Sequence, residues 1–128
     1  MGYEYKIFQS KVAKLDLEYL YTVERNITFI VKVLSGAFSG EHPFCLHKND
    51  ISDVILILNH MSKEMKGECI ISDGDSYSFI KIEFEERDVT ISGQLGWASD
   101  DDFMKFKFTA DQTLVVLLES ALIDMKNI

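Results

Sequence analysis

The sequence has few cysteines and no long apolar segment, and each shortage excludes a class of protein. Two cysteines among 128 residues cannot form the dense disulfide framework of a small secreted domain. The longest aliphatic run, residues 54–58, is far shorter than the roughly 20 residues that span a bilayer. The first residues, MGYEYKIFQSK, are interrupted by charges and predict no signal peptide. These features favour a reduced, cytoplasmic protein that is neither exported nor embedded in a membrane.

Basic residues are scarce in the second half of the chain. The net charge is −8, from 13 Lys and Arg against 21 Asp and Glu. Residues 1–63 contain seven residues of each sign, whereas residues 64–128 contain six basic and fourteen acidic residues. Because affinity for phosphates depends largely on clustered Lys and Arg, this distribution predicts no nucleic-acid partner. An acidic field suits a basic protein or a cation, and it also maintains solubility without any partner.

Apolar residues recur at the spacings of strands and of two helices. Val89, Ile91 and Leu95 follow the period of two of a strand with one buried face, and residues 103–109 predict a strand that returns beside it. Residues 49–66 show helical spacing, and so do residues 114–125, which follow Thr109 and Gln112 at the spacing of a capping box. The whole pattern predicts a single α+β domain over residues 1–128. It has a mainly antiparallel sheet of about seven strands, in the order β-β-β-α-β-β-β-β-α, with two helices packed on one face.

Residues 35–48, SGAFSGEHPFCLHK, predict the one long irregular connection, because they hold two glycines and the only proline. His42, Cys45 and His47 lie close together there, but their spacing matches no usual zinc pattern. No serine or cysteine is framed by a nucleophile motif, so we predict no enzymatic activity, no metal and no cofactor. Loops on rigid scaffolds often carry recognition. The candidate binding residues of this loop are Phe38, Glu41, His42, Phe44 and His47.

Two acidic turns are predicted to lie at the same end of the sheet. If consecutive strands are neighbours, the turn at 73–75 and the loop at 100–102 are two strands apart, or roughly 10 Å. Asp and Gly are common turn formers, which is enough to explain both segments as solvated turns. A docking surface for a basic partner is the second interpretation. The members of this predicted acidic rim are Asp73, Asp75, Asp100, Asp101 and Asp102.

Four segments together resemble the WapI-type immunity proteins of bacterial polymorphic-toxin systems. They are FSGEHPF, MKGECIISD, VTISGQLG and FKFTADQTLVVLL, and the resemblance covers roughly residues 28–122. In that family an FSG-like segment is followed by a helix, a strand opened by Gly-Glu, a strand with spaced glycines, and a phenylalanine strand that leads into Asp-Gln. The corresponding residues here are Phe38, Ser39, Gly40, Gly67, Glu68, Ile91, Gly93, Phe106, Phe108, Asp111, Gln112 and Leu114.

The resemblance implies a cytoplasmic protein that binds a cognate toxin domain, commonly a nuclease, and neutralises it by occlusion. An acidic inhibitor can occupy the basic channel that a nuclease offers to phosphates. The predicted partner is therefore a toxin protein, with no nucleic acid and no membrane, and the acidic rim is the predicted binding site. The other function that the sequence leaves open is a regulatory module that binds a small ligand or another protein.

Overall fold

A computed structural model describes residues 3–96 and 102–128 of the chain. The first half contains β1 (Tyr3–Gln9), β2 (Ala13–Val23), β3 (Asn26–Ser35), β4 (Phe38–His47) and α1 (Lys48–Glu64). The second half contains β5 (Glu68–Ser72), β6 (Phe79–Glu85), β7 (Asp88–Gly96), β8 (Phe103–Ala110) and α2 (Thr113–Lys126). The predicted α+β class is confirmed, since antiparallel strands and two helices account for the described residues.

Within the described residues the strands form two sheets of four rather than a single sheet of seven. Sheet 1 has the order β1-β2-β3-β4 and sheet 2 the order β5-β6-β7-β8, and every pairing within them is antiparallel. Each half of the chain therefore repeats the same element order, four strands followed by a helix. The sequence itself shows no internal repeat, so the repetition appears only in the fold.

The additional strand is β4, which occupies the segment predicted to be an irregular loop. The prediction of a loop is wrong because a strand tolerates proline at the position that Pro43 occupies. β4 is an edge strand, and Pro43 faces Ile30 at a position where the missing N–H would point away from β3. The segment also alternates as a strand should, with His42, Phe44 and Leu46 buried between exposed or half-exposed neighbours.

One buried apolar cluster joins both sheets and both helices. Its almost completely buried members include Phe29, Phe44, Leu58, Ile80 and Leu122. The two helices pack against each other, with α1 also contacting β4 and β5, and α2 contacting β1. Within residues 3–96 and 102–128, neither helix combines the length and hydrophobicity needed to cross a membrane.

Candidate functional site

The turn between β5 and β6 is attached to the free edge of sheet 1. Cys45 lies on β4 where its peptide groups point away from β3, and the turn provides partners for both of them. The Cys45 N–H donates to Oδ1 of Asp73 (2.9 Å), and the Cys45 carbonyl accepts from the Gly74 N–H (3.0 Å). These two hydrogen bonds join the sheets at a fixed position.

Asp73 holds the turn in shape from inside. Its carboxylate also accepts the Asp75 N–H at 3.2 Å and the Ser76 hydroxyl at 2.5 Å. Nε2 of His42 lies 3.8 Å from Oδ2 of Asp73, and both side chains are buried. A buried carboxylate needs such hydrogen bonds to offset its lost hydration. The carboxylate of Asp73 thus makes its hydrogen bonds within the chain, and these bonds position its exposed neighbours.

A groove of about 690 Å³ lies between this turn, β5 and the first half of α1. We call it the acidic groove. Its exposed carboxylates are Asp50 and Asp53 on α1 and Asp75 in the turn, and the buried Asp73 also lines it. Apolar side chains lie among them, and Ile57 and Ile70 are 44% and 52% exposed. The residues that line the groove in the described chain include no lysine or arginine, so its potential is negative.

The acidic groove contains only part of the predicted acidic rim. The β5–β6 turn and the end of β7 lie at one end of sheet 2, because the Ser78 hydroxyl exchanges hydrogen bonds with the N–H and carbonyl of Gly96, each at 2.9 Å. Asp75 and Asp102 are exposed at that end, whereas Asp73 points inward and is 7% exposed. Asp100 and Asp101 lie outside the described residues. Toxin binding by the exposed members stays a prediction.

The five residues of the predicted binding loop are distributed along β4 and do not form one surface. Phe44 is completely buried in the core, and His42 is 6% exposed beside Asp73. Phe38 is 73% exposed at the far end of the strand, and Glu41 lies on the outer face of sheet 1, opposite Lys32. His47 precedes α1, where its Nδ1 accepts the Asn49 N–H at 3.0 Å and caps the helix.

Sequence reasoning missed the contribution of α1 to the site. Asp50 and Asp53 lie in the first turns of the helix predicted over residues 49–66, and nothing in the sequence shows that its start lies beside the β5–β6 turn. The capping residue gives the missing information, because His47 ends β4 only two residues after Cys45, which is bonded to that turn. Only the pairing of β4 with the turn brings these segments together.

Two further observations on the described residues concern metal ligands and thiols. In residues 3–96 and 102–128, no three His, Cys, Asp or Glu side chains converge as metal ligands. Both cysteines are free thiols. Burial raises the pKa of the Cys69 thiol to about 11, so this sulfur is largely protonated and a poor nucleophile near neutral pH.

The outer face of sheet 2 has the opposite charge to the acidic groove. Cross-strand rows place Phe79 beside Gln94 and Lys105, and Lys81 beside Ser92 and Lys107. Glu68 and Glu83 form ion pairs with Lys81. Among the described residues no ion pair involves Lys105 or Lys107, and Nζ of Lys105 lies 5.9 Å from the ring centroid of Phe103. We call this area the lysine face, formed by Phe79, Gln94, Phe103, Lys105 and Lys107.

Comparison with known proteins identifies the fold but no family. No family model and no curated protein matches the chain. Three solved structures each match 98% of it. They are the plant transcriptional regulator PBF-2 (TM-score 0.60, 13% identity, 80% of that chain), WHY1 from Arabidopsis thaliana (0.57, 10%, 82%) and WHY3 from the same plant (0.54, 12%, 86%). At these identities the similarity shows a shared fold.

The predicted exclusion of a nucleic-acid partner is contradicted by this comparison, because the same fold occurs in a protein that regulates transcription. The exclusion was based on the charge of the second half of the chain taken as a whole. The net charge of half a chain does not describe the charge of a single face. Lys105 and Lys107 share one face of β8, and neither forms an ion pair with another described residue.

Proposed function

We propose that the chain is a non-catalytic immunity protein of a bacterial polymorphic-toxin system. It acts in the cytoplasm, where it binds a cognate toxin domain, a nuclease, and covers the surface that this toxin needs for its substrate. The sequence resemblance over residues 28–122 motivates the proposal. The acidic groove is the observation that carries it, since exposed carboxylates around apolar side chains suit a basic protein surface.

Charge complementarity connects the groove to this class of partner. A nuclease attracts phosphates with lysine and arginine side chains, and an inhibitor that presents carboxylates competes for the same charges. Asp53 and Asp75 belong to the groove, and Asp102 extends the acidic surface along the end of sheet 2. The predicted rim residues Asp100 and Asp101 precede Asp102 in the sequence.

Co-expression with the toxin tests this function directly. The candidate toxin is the C-terminal domain of a large secreted protein encoded next to this gene, and the measurement is survival of the host cell. We expect the wild-type chain to restore survival and Asp53→Lys/Asp75→Lys to lose protection. The matched control, Glu85→Lys/Glu86→Lys, changes the charge equally at the opposite end of sheet 2 and should protect as well as the wild type. Killing that the wild-type chain does not prevent contradicts the pairing.

The lysine face supports a second candidate function, the binding of single-stranded nucleic acid. Exposed aromatic rings stack on unpaired bases, and lysines contact the backbone. Phe103 is 45% exposed beside Lys105, and the fold is shared with a plant transcriptional regulator.

Fluorescence anisotropy with labelled single-stranded and duplex oligonucleotides tests the second function. If it is correct, Lys105→Glu/Lys107→Glu weakens binding and lowers the slope of log affinity against log salt by about 2. Lys6→Glu/Lys11→Glu is the matched control, since both residues are exposed outside this face. No binding by the wild-type chain at low salt would exclude this second function.

A further inference from the structure

β5 is one of the two edge strands of sheet 2, and the peptide groups along its free edge follow a definite pattern. The Asp73 N–H donates to the Ser78 carbonyl and the Phe84 N–H donates to the Gly67 carbonyl, both at 3.0 Å. Hydrogen-bonded pairs alternate along an antiparallel ladder, so residues 67, 69, 71 and 73 bond toward β6. The peptide groups of Glu68, Ile70 and Ser72 therefore point away from the sheet.

This free edge forms one wall of the acidic groove. Ile70 and Ser72 line the groove on one side, and Asp53, Val54 and Ile57 of α1 line it on the other. Peptide donors and acceptors of Ile70 and Ser72 therefore lie along this side of the groove. An exposed strand edge of this kind accepts an extended segment, with main-chain hydrogen bonds for affinity and side-chain pockets for specificity.

We propose that the acidic groove receives an extended, basic segment of a protein partner, which pairs with β5 as a fifth strand of sheet 2. The proposal rests on the proposed function to the extent that the partner is then the toxin. Residues of such a segment alternate in direction. Those that point toward α1 meet Val54 and Ile57, and lysine or arginine side chains reach Asp50, Asp53 and Asp75.

Charge identifies the occupant as a different protein and not as a second copy of this chain. Pairing of β5 with β5 across a twofold axis would bring two acidic grooves together, with Asp53 and Asp75 from each copy, in a chain of net charge −8. Like charges in contact oppose that arrangement. A basic segment meets no such repulsion, because no lysine or arginine lines the groove.

The probe for this site is a phage-displayed library of random seven-residue peptides, selected on the wild-type chain. We expect selected sequences in which Lys or Arg alternates with aliphatic residues. Ile70→Pro and Ser72→Pro each remove an outward N–H without removing a β5–β6 bond, and each should weaken binding about tenfold or more. Ile70→Val is the matched control, since it keeps the N–H and a β-branched side chain. Thermal unfolding verifies that every variant is folded.

Peptide chemistry supplies a test on the unaltered protein. The best peptide is synthesised in two forms, N-methylated at its even or at its odd residues. Only alternate N–H groups face β5, so one form should lose binding and the other should keep it. Equal binding of both forms, equal loss of both, unchanged binding to both proline variants, or the absence of any selected peptide overturns the proposal. A dimer of the wild-type chain in sedimentation that Ile70→Pro dissociates also overturns it.

The toxin experiment separates this inference from the proposed function. If the chain protects cells and Ile70→Pro and Ser72→Pro protect equally well, the immunity function stands and strand addition at β5 is wrong. If peptides pair with β5 and no toxin is neutralised, strand addition stands and the immunity function is wrong.

Discussion

At the scale of single residues, Asp73 joins the two sheets through one buried carboxylate. It accepts hydrogen bonds from the backbone of β4 and from its own turn, and it thereby holds the exposed Asp75 at the end of the acidic groove. A residue that the sequence predicts as a binding carboxylate has a structural task in the fold. Asp73 and Asp75 lie two positions apart in the sequence, and yet their roles are unrelated.

Replacement of Asp73 by asparagine should lower the free energy of unfolding by about 1–3 kcal/mol. The amide nitrogen that replaces one carboxylate oxygen is a donor, and it would face donors such as the Cys45 N–H or the Ser76 hydroxyl. Asp75→Asn removes the same charge at an exposed position and should change stability by less than about 0.5 kcal/mol. Urea unfolding of both variants measures the difference. Equal effects would contradict the role assigned to Asp73.

The buried thiol of Cys69 should make the fold less stable at alkaline pH. Burial raises its pKa from 9.0 to about 11, so above pH 9.0 the unfolded chain loses a proton that the folded chain keeps. The stabilising contribution is complete below pH 9.0 and is lost as the pH rises to about 11. Over this interval we expect the free energy of unfolding to fall by on the order of 2 kcal/mol more for the wild type than for Cys69→Ala. Parallel pH profiles of the two proteins would contradict the assignment.

At the scale of elements, local patterns predicted both helices and most strands, because alternation and helical spacing record which side is buried. They failed at β4, where Pro43 indicates a loop unless the strand is known to lie at an edge. They also failed to separate the two sheets, since alternation within a strand does not reveal its neighbours. The acidic groove was unpredictable for the same reason, because Asp53, Ile70 and Asp75 meet only after β4 bonds to the turn.

Close packing around β7 requires a glycine at position 93, and this constraint is visible in the sequence. A Cβ at this position of β7 would lie 2.2 Å from the Phe79 carbonyl oxygen and 2.9 Å from the ring of Phe106. Gly93→Ala should therefore destabilise the protein by about 2 kcal/mol or more, because β6 or β8 must move. The control is Ser92→Ala, the adjacent half-buried residue on the opposite face of the strand. Thermal unfolding measures both, and a Gly93→Ala variant as stable as the wild type contradicts the close packing.

At the scale of the whole molecule, the two halves repeat one element order but complete a single core. α2 of the second half contacts β1, where the Tyr5 hydroxyl donates to the Asp124 carboxylate. α1 of the first half contacts β5, and Met61 lies against Gly67. Each helix thus covers part of the other half. The acidic groove spans the same junction, with Asp53 from one half and Ile70 from the other.

Because each helix covers part of the other half, we expect that neither half folds alone. Residues 1–66 and 67–128 are each near the size at which a chain buries only about 60% of its surface, and each would leave apolar residues of its helix and strands uncovered. Separately expressed fragments should show no cooperative thermal transition by circular dichroism. An equimolar mixture should recover the native spectrum and one transition, which Tyr5→Phe weakens by removing the bond to Asp124. A cooperative transition in either isolated fragment would mean that the halves are independent, and the acidic groove would then be an interface between two domains.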